Sequence, residues 1–323
     1  MNEISVSKKE HNIGLDVMKF VACILITNSH VTYPISFLSV GGGQGNGLFF
    51  VIAGYLLANI DLSFFEWIWK RISRIVPAVL IGTICFAFLE NGHITLQKVV
   101  NQYWFCFAIL LYYPVYWCVF NFIKSTKGYW ITFALWTALY FIIYFTVLDI
   151  TSFSVELADF SNFKVFFYFG IMLMGGIVRK SNDKLFGKRL SMIYSILGLF
   201  GAMLLWGIEY VCVMILKKGF AFQFVIQFSI LVFSFCCLYI VLQSSELKNI
   251  LNRVIKHKIL NKLIYWISSA TLEVYIVQMT FMRIIWRNSF GVAFVLHWCI
   301  SLIGGVLMHM CLEKITKKKS LLG

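Results

Sequence analysis

The chain has 323 residues, of which 60% are hydrophobic and 13% are charged, and its net charge is +14. About a quarter of the residues of an ordinary soluble domain are charged, so this chain has too few polar side chains to cover a water-facing surface. We therefore predict an all-α, polytopic membrane protein that lipid covers. The nine cysteines lie in apolar stretches without a CxxC pair, which indicates neither a disulfide framework nor a zinc site, and we expect no metal.

Apolar runs long enough to cross a hydrocarbon core about 30 Å thick recur along the whole chain. The polar start of the chain is followed by an apolar run without a cleavage signature, which we interpret as a retained first helix. We expect residues 1–323 to form one integral-membrane domain with no attached soluble domain. The ten candidate spans are 15–34, 45–61, 75–92, 104–123, 129–148, 163–178, 190–215, 221–242, 264–284 and 291–312.

The basic residues between the spans predict the orientation of the chain. Most of the 28 Lys and Arg residues fall on the side of the N-terminus. Because positive charge accumulates in cytoplasmic loops, we predict that ten spans leave both termini in the cytoplasm. The net charge is thus a topology signal, and we expect no nucleic-acid partner, which would need a soluble basic face.

Charged side chains at membrane depth are costly and need a reason. The first span carries Asp16, Lys19 and His30. Asp16 and Lys19 are one helical turn apart and can pair. Lys19 and His30 return to within about 20° of the same helix face, with a rise of about 16 Å. This stripe indicates either a functional cation and imidazole or a snorkelling lysine with an interfacial histidine.

A basic cluster precedes the third span. It consists of Lys70, Arg71 and Arg74, and the two arginines are one turn apart. Paired guanidinium groups suit phosphate groups because of their planar, multi-donor geometry. Ordinary topology-setting charge explains the same cluster. In the second span, Gly54 is expected to allow tight helix packing.

Five ordered segments of this chain form a recognisable set. They are Gly14–Ala22, the pair Lys19 and His30, Phe49–Tyr55, Lys70–Pro77 and, more weakly, Thr271–Gln278. Together they resemble the acyltransferase-3 family of bacterial membrane-bound O-acyltransferases. In place of the Arg, Ser and His that are usual in the family, this chain has Lys19, Ala53 and Gln278.

The resemblance implies an enzyme of the bacterial cytoplasmic membrane that moves an acyl group onto a hydroxyl of a cell-surface or lipid-linked glycan. The expected donor is cytoplasmic acetyl-CoA, with another short acyl-CoA as an alternative. It also implies that His30 is the general base, that Asp16 fixes Lys19 as a cation beside the acyl arm, and that Arg71 and Arg74, with Lys70, hold the phosphates of CoA.

Four residues of the ninth span are candidates for the acceptor site or the cavity: Glu273, Tyr275, Gln278 and Arg283. A carboxylate inside a span is expected to be protonated or partnered, so Glu273 could face the cavity of Lys19 or be a satisfied structural group. Arg283 lies at the outer end of the span, where it could grip an anionic acceptor or contact lipid headgroups.

Two other functions are consistent with a polytopic chain. A transporter or flippase of a polysaccharide or its precursor gives no reason for the arrangement of Lys19, His30, Arg71 and Arg74, and the sequence shows no internal repeat. A membrane scaffold leaves the buried charges unexplained. His297 and His309 belong to no motif, and we interpret them as interfacial or loop residues.

Overall fold

A computed structural model describes residues 12–31, 39–150, 161–181, 188–211 and 222–320. These residues form helices and connecting segments, and no strand occurs among them. The N-terminal tail and Cys212 lie outside the described residues. We number the helices in chain order: α1 (Ile13–Ser29), α2 (Gly42–Leu57), α3 (Phe64–Leu89), α4 (Leu96–Gln102), α5 (Trp104–Phe122), α6 (Thr126–Thr146), α7 (Ser161–Ser181), α8 (Lys188–Tyr210), α9 (Phe224–Gln243), α10 (Ser245–Lys256), α11 (Lys258–Ser269), α12 (Thr271–Ile285), α13 (Phe290–Cys299) and α14 (Gly305–Ser320).

The all-helical, multi-pass character of the prediction is confirmed. In the described part of the chain, five helical stretches are long and apolar enough to cross a membrane by length and composition, and a shorter apolar helix covers Met192–Ile208. The count of ten crossings and the side on which the termini lie stay predictions. The five stretches are Phe64–Leu89, Trp104–Phe122, Thr126–Thr146, Phe224–Gln243 and Phe290–Ile315.

Helix α3 begins well before the predicted third span, which was placed at 75–92. A capping box explains this start: the Ser63 hydroxyl donates to Glu66 Oε2 at 2.6 Å, and the Ser63 backbone N–H donates to the same oxygen at 3.2 Å. Such a box satisfies N–H groups that the first helical turn leaves unpaired. The basic cluster therefore lies within α3, and the helix fixes the directions of its side chains, whereas the prediction placed the cluster before the helix.

The predicted ninth span, 264–284, is two helices. Helix α11 ends at Ser269 and α12 begins at Thr271, so the chain bends at Ala270. Helices α10 and α11 are amphipathic, with basic residues on one side and apolar residues on the other. A search for long apolar runs does not detect such helices, because neither is uniformly apolar. The predicted tenth span continues from α13 through a π-helical segment, Ile300–Gly304, into α14.

Helices α2 and α7 pack with their backbones close together at two glycines. A Cβ atom on Gly54 would overlap the carbonyl oxygen of Met172, and one on Gly175 would overlap that of Val51. The expectation that Gly54 permits tight packing is confirmed. Helix α1 packs against α2, α9, α11 and α12, so its polar face lies in the interior of the bundle.

Candidate functional site

Helix α1 presents its polar residues at both ends. At its start, the Asn12 side chain caps the helix by accepting from Gly14 N at 3.0 Å. Asp16 is buried, and its Oδ1 lies 3.2 Å from Lys19 Nζ, which confirms that these residues can pair. His30 follows the last helical residue, so its ring is held where the helix gives way to the next segment.

The His30 ring is held through Nδ1. This atom lies 2.8 Å from Ile26 O, 3.3 Å from Ser29 Oγ and 2.6 Å from Gln278 Nε2. The Gln278 amide also contacts Thr27, whose Oγ1 is 3.2 Å from Gln278 Oε1. Gln278 occupies the position where the family often has His, and it contacts the imidazole directly. The other ring nitrogen, Nε2, has no hydrogen-bond partner among the described residues.

His30 lines a cavity of about 320 Å³, which we call the outer cavity. This volume lies at the lower end of the range usual for small-molecule sites. The polar residues in its wall come from α1, α2, α7 and α9. They are Ser29, His30, Asn46, Lys164 and Gln227.

Aromatic rings complete the outer cavity. Trp104, Tyr168 and Tyr275 line it, and the Trp104 and Tyr168 ring centroids are 5.7 Å apart. Lys164 Nζ lies 4.4 Å from the centroid of the Trp104 ring. A cavity with amide, ammonium and aromatic groups can bind a polar ligand that also has an apolar face.

A second cavity of about 340 Å³, which we call the inner cavity, lies further toward the start of α1. Lys19 and Arg74 are the charged residues in its wall, and most of the other lining residues are apolar, including Phe105 and Leu57. Ala53 also lies in this wall, at the position where the family usually has Ser. The cavity can therefore accept an uncharged chain with a charged group at its edge.

Ile26 and Tyr275 line both cavities. Both side chains are buried, and the Tyr275 hydroxyl donates to Gln102 O at 3.3 Å. Within the described residues, the Lys19–His30 stripe thus faces two cavities with a shared wall. The side chains of Ile26 and Tyr275 therefore lie between the two ends of the stripe.

Arg74 is engaged by a buried carboxylate. Its Nη1 lies 3.0 Å from Glu273 Oε1, and its Nη2 lies 3.4 Å from Glu273 Oε2 and from Ser269 O. The Glu273 side chain is 0% exposed, whereas 45% of the Arg74 side chain is exposed. His309 Nδ1 lies 3.1 Å from Glu273 Oε1. Glu273 is therefore a partnered carboxylate behind the cavity wall, and Arg74 connects it to the inner cavity.

The other two residues of the basic cluster lie outside the inner cavity lining. Lys70 is exposed, and Arg71 is half-buried with its guanidinium carbon 4.9 Å from the Trp67 ring centroid. The Nε of Arg71 is buried without a hydrogen-bond partner among the described residues. Of the cluster, only Arg74 is brought together with Lys19.

Arg283 lies apart from both cavities. Its Nη1 donates to Glu90 Oε1 at 3.1 Å, and Lys98 Nζ lies 4.0 Å from Glu90 Oε2. More than half of the Arg283 side chain is exposed. Arg283 therefore belongs to a surface ion cluster that joins the ends of α3 and α12. Of the four ninth-span candidates, only Tyr275 lines a cavity.

Two histidines were misinterpreted from the sequence. His297 is 0% exposed, and its Nε2 donates to Thr27 O at 2.9 Å, one residue after Ile26. His309 contacts Glu273 and Arg74. Neither is a free interfacial or loop residue. The position of each histidine inside an apolar run was a signal that it needs a buried partner. The partner was not predictable, because Thr27 and Glu273 are remote from these histidines in the chain.

The apolar helices of the bundle thus turn several polar residues onto two internal cavities. A family model described as an acyltransferase domain matches residues 12–313, nearly the whole chain. The chain belongs to the acyltransferase-3 family and is an acyltransferase. No curated protein and no solved structure matches it significantly.

Proposed function

We propose that the chain transfers an acetyl group from cytoplasmic acetyl-CoA onto a hydroxyl of a cell-surface or lipid-linked glycan, in a bacterial cytoplasmic membrane. The observation that carries this proposal is the pair of cavities on one helix. A cation and an apolar wall mark the inner one, and an imidazole with polar and aromatic groups marks the outer one.

The inner cavity suits the donor. Its apolar wall can take the uncharged arm of CoA, while Arg74, the half-buried Arg71 and the exposed Lys70 lie along α3 where the phosphates would stay. Arginine binds phosphate oxygens through several N–H groups at once. Lys19, held by Asp16, then faces the arm near its reactive end.

The outer cavity suits the acceptor, and His30 is the general base there. Ile26 O can only accept a hydrogen bond, so its 2.8 Å contact requires a proton on Nδ1. Nε2 then carries the lone pair that can remove a proton. A protonated Nδ1 cannot accept from the Gln278 NH₂ group that lies 2.6 Å away. This tautomer therefore requires the Gln278 amide to be turned by 180°, so that its oxygen accepts from Nδ1–H and its NH₂ group donates to Thr27 Oγ1.

The reaction balances with these residues alone. The acceptor oxygen attacks the thioester carbonyl carbon, a C–O bond forms, and the hydroxyl proton passes to His30 Nε2. The C–S bond then breaks, and the proton passes from the imidazolium to the sulfur of CoA. For this attack the acetyl group must pass the wall formed by Ile26 and Tyr275, which both cavities share.

A comparison of envelope glycans from cells with and without the gene tests the function. We expect the cells with the gene to contain an additional ester, detected as the mass of an acetyl group that mild alkali removes. Matched cells that express the His30→Ala protein at equal abundance should lack it. Identical glycan masses in all three strains would refute the proposal.

A further inference from the structure

Lys164 is a cation of the outer cavity that the proposed reaction does not use. It lies in the first turn of α7, half-buried, with its ammonium group over the Trp104 ring. Tyr168, one turn further along α7, lines the same cavity and contacts the same ring. The ammonium group is thereby held at the cavity wall instead of turning away from it.

The charge of Lys164 is uncompensated in the described part of the chain. The two cations of the inner cavity each have a carboxylate, since Lys19 pairs with Asp16 and Arg74 pairs with Glu273. Lys164 has no carboxylate within ion-pair distance among the described residues. An aromatic ring attracts a cation without neutralising it, so a half-buried ammonium group at a cavity wall indicates that it binds an anion.

The neighbouring groups suit a sugar. The Gln227 Oε1 accepts a hydrogen bond from the Tyr140 hydroxyl, which leaves its NH₂ group as the donor that it can offer to a ligand. Asn46, from α2, adds a second amide to the cavity wall. Amide groups bind hydroxyls, and the aromatic faces pack against the apolar face of a sugar ring.

We propose that the outer cavity binds a glycan acceptor that carries a negative charge, and that Lys164 pairs with this charge while His30 addresses the hydroxyl. This inference rests on the proposed function. The anionic group is a carboxylate of an acidic sugar or a phosphate of a glycosyl phosphate. Both present paired oxygens to an ammonium group, and a charge-assisted hydrogen bond would fix the acceptor.

The first experiment uses intact cells and three variants. Lys164→Met removes the charge at nearly constant size, Lys164→Arg keeps it, and Lys98→Met is the matched control, an exposed lysine that lines neither cavity. Envelope glycans are separated by anion exchange before their alkali-labile acetate is measured. We expect the gene-dependent ester to occur in the retained, anionic fraction. Its amount should fall about 10-fold or more in Lys164→Met and stay close to the wild-type amount in Lys98→Met.

The second experiment separates acceptor binding from catalysis. The retained glycan is treated with mild alkali to remove its esters and is offered, with acetyl-CoA, to the purified protein in lipid vesicles. For Lys164→Met we expect KM for the glycan to rise about 10- to 100-fold, with little change in kcat or in KM for acetyl-CoA. Lys164→Arg should recover most of the affinity, and the unchanged donor KM shows that the variant is folded.

Chemical treatment of the acceptor identifies the anion. Carboxyl reduction should abolish the difference between wild type and Lys164→Met when the charge is a sugar carboxylate, and removal of phosphate should do so when it is a phosphate. A gene-dependent ester confined to neutral glycans overturns the inference, as does a Lys164→Met protein with wild-type glycan KM or with a loss in kcat alone. Wild-type cells with no gene-dependent ester at all would instead overturn the proposed function.

Discussion

The buried Glu273 depends on Arg74 for compensation of its charge. In Arg74→Ala the carboxylate, 0% exposed, would keep only the contact with His309 Nδ1. Removal of one partner from a buried ion pair costs roughly 3–5 kcal/mol. Because 45% of the Arg74 side chain is exposed, we expect the lower end, a loss of about 3 kcal/mol in the free energy of unfolding.

A second variant separates the charge from the contact. Glu273→Gln removes the carboxylate and keeps a side chain of the same shape, so we expect it to cost about 1 kcal/mol. In that background, Arg74→Ala should cost only about 1 kcal/mol more. The resulting coupling energy, about 2 kcal/mol, measures the ion pair itself.

The assay is reversible unfolding in mixed detergent micelles, performed on the wild type, both single variants and the double variant. The matched control is Arg179→Ala, since Arg179 is an exposed arginine whose Nη1 donates to the Tyr55 hydroxyl at 2.9 Å. We expect the control to lose less than about 1 kcal/mol. Additive effects of Arg74→Ala and Glu273→Gln would refute the reasoning, because they would show that the carboxylate does not need this arginine.

The same four proteins decide whether Arg74 also binds the donor. If Arg74 contacts a phosphate of CoA, affinity for acetyl-CoA should fall about tenfold in Arg74→Ala and stay low in the double variant. Recovery of donor affinity in the double variant would show that Arg74 acts only by holding Glu273.

Three further predictions concern the contact of Gln278 with His30, the wall that the two cavities share, and the surface ion pair of Arg283. Gln278→Leu removes the amide beside Nδ1 and should lower kcat about 10- to 100-fold with little change in donor KM; an unchanged kcat would show that the tautomer does not depend on it. Ile26→Trp should block passage of the acetyl group between the two cavities, so that acetyl-CoA still binds in a titration but no ester forms. Normal transfer by this variant would contradict a route past Ile26. Arg283→Ala removes only a surface ion pair with Glu90 and should change stability by less than about 1 kcal/mol and leave activity unchanged; a lost acceptor affinity would restore Arg283 to the acceptor site.

The local part of the site was predictable from the sequence because it follows helical spacing. Asp16 and Lys19 are one turn apart, and they pair. Lys19 and His30 share a face, and each lines a cavity. Helix geometry fixes these relations without knowledge of the fold.

Contacts between remote segments were not predictable from spacing. The pairing of Arg74 with Glu273 joins α3 to α12, and the contact of Gln278 with His30 joins α12 to α1. Nothing in a single sequence specifies which helices are neighbours, so Arg74 was assigned to phosphate binding or to topology, and its ion pair with Glu273 was not predicted. Lys164 was not singled out for the same reason, since its neighbour Trp104 lies on another helix.

The break at Ala270 was missed because run length, the criterion for spans, does not detect a bend. An apolar stretch reads as continuous whether one helix or two cover it. The early start of α3 had a local signal in the sequence, the capping box of Ser63 and Glu66. The span criterion placed the start later because the charged residues after the box make that segment less apolar.

The central claim is that His30 removes the proton from the acceptor hydroxyl while the donor is held in the other cavity. The most direct measurement uses sealed vesicles that contain the purified protein, with labelled acetyl-CoA on one side and de-esterified acceptor glycan on the other. We expect His30→Ala to bind acetyl-CoA like the wild type and to form no labelled ester, while the exposed-histidine control His93→Ala stays fully active. Labelled ester formed by His30→Ala at the wild-type rate would contradict the account.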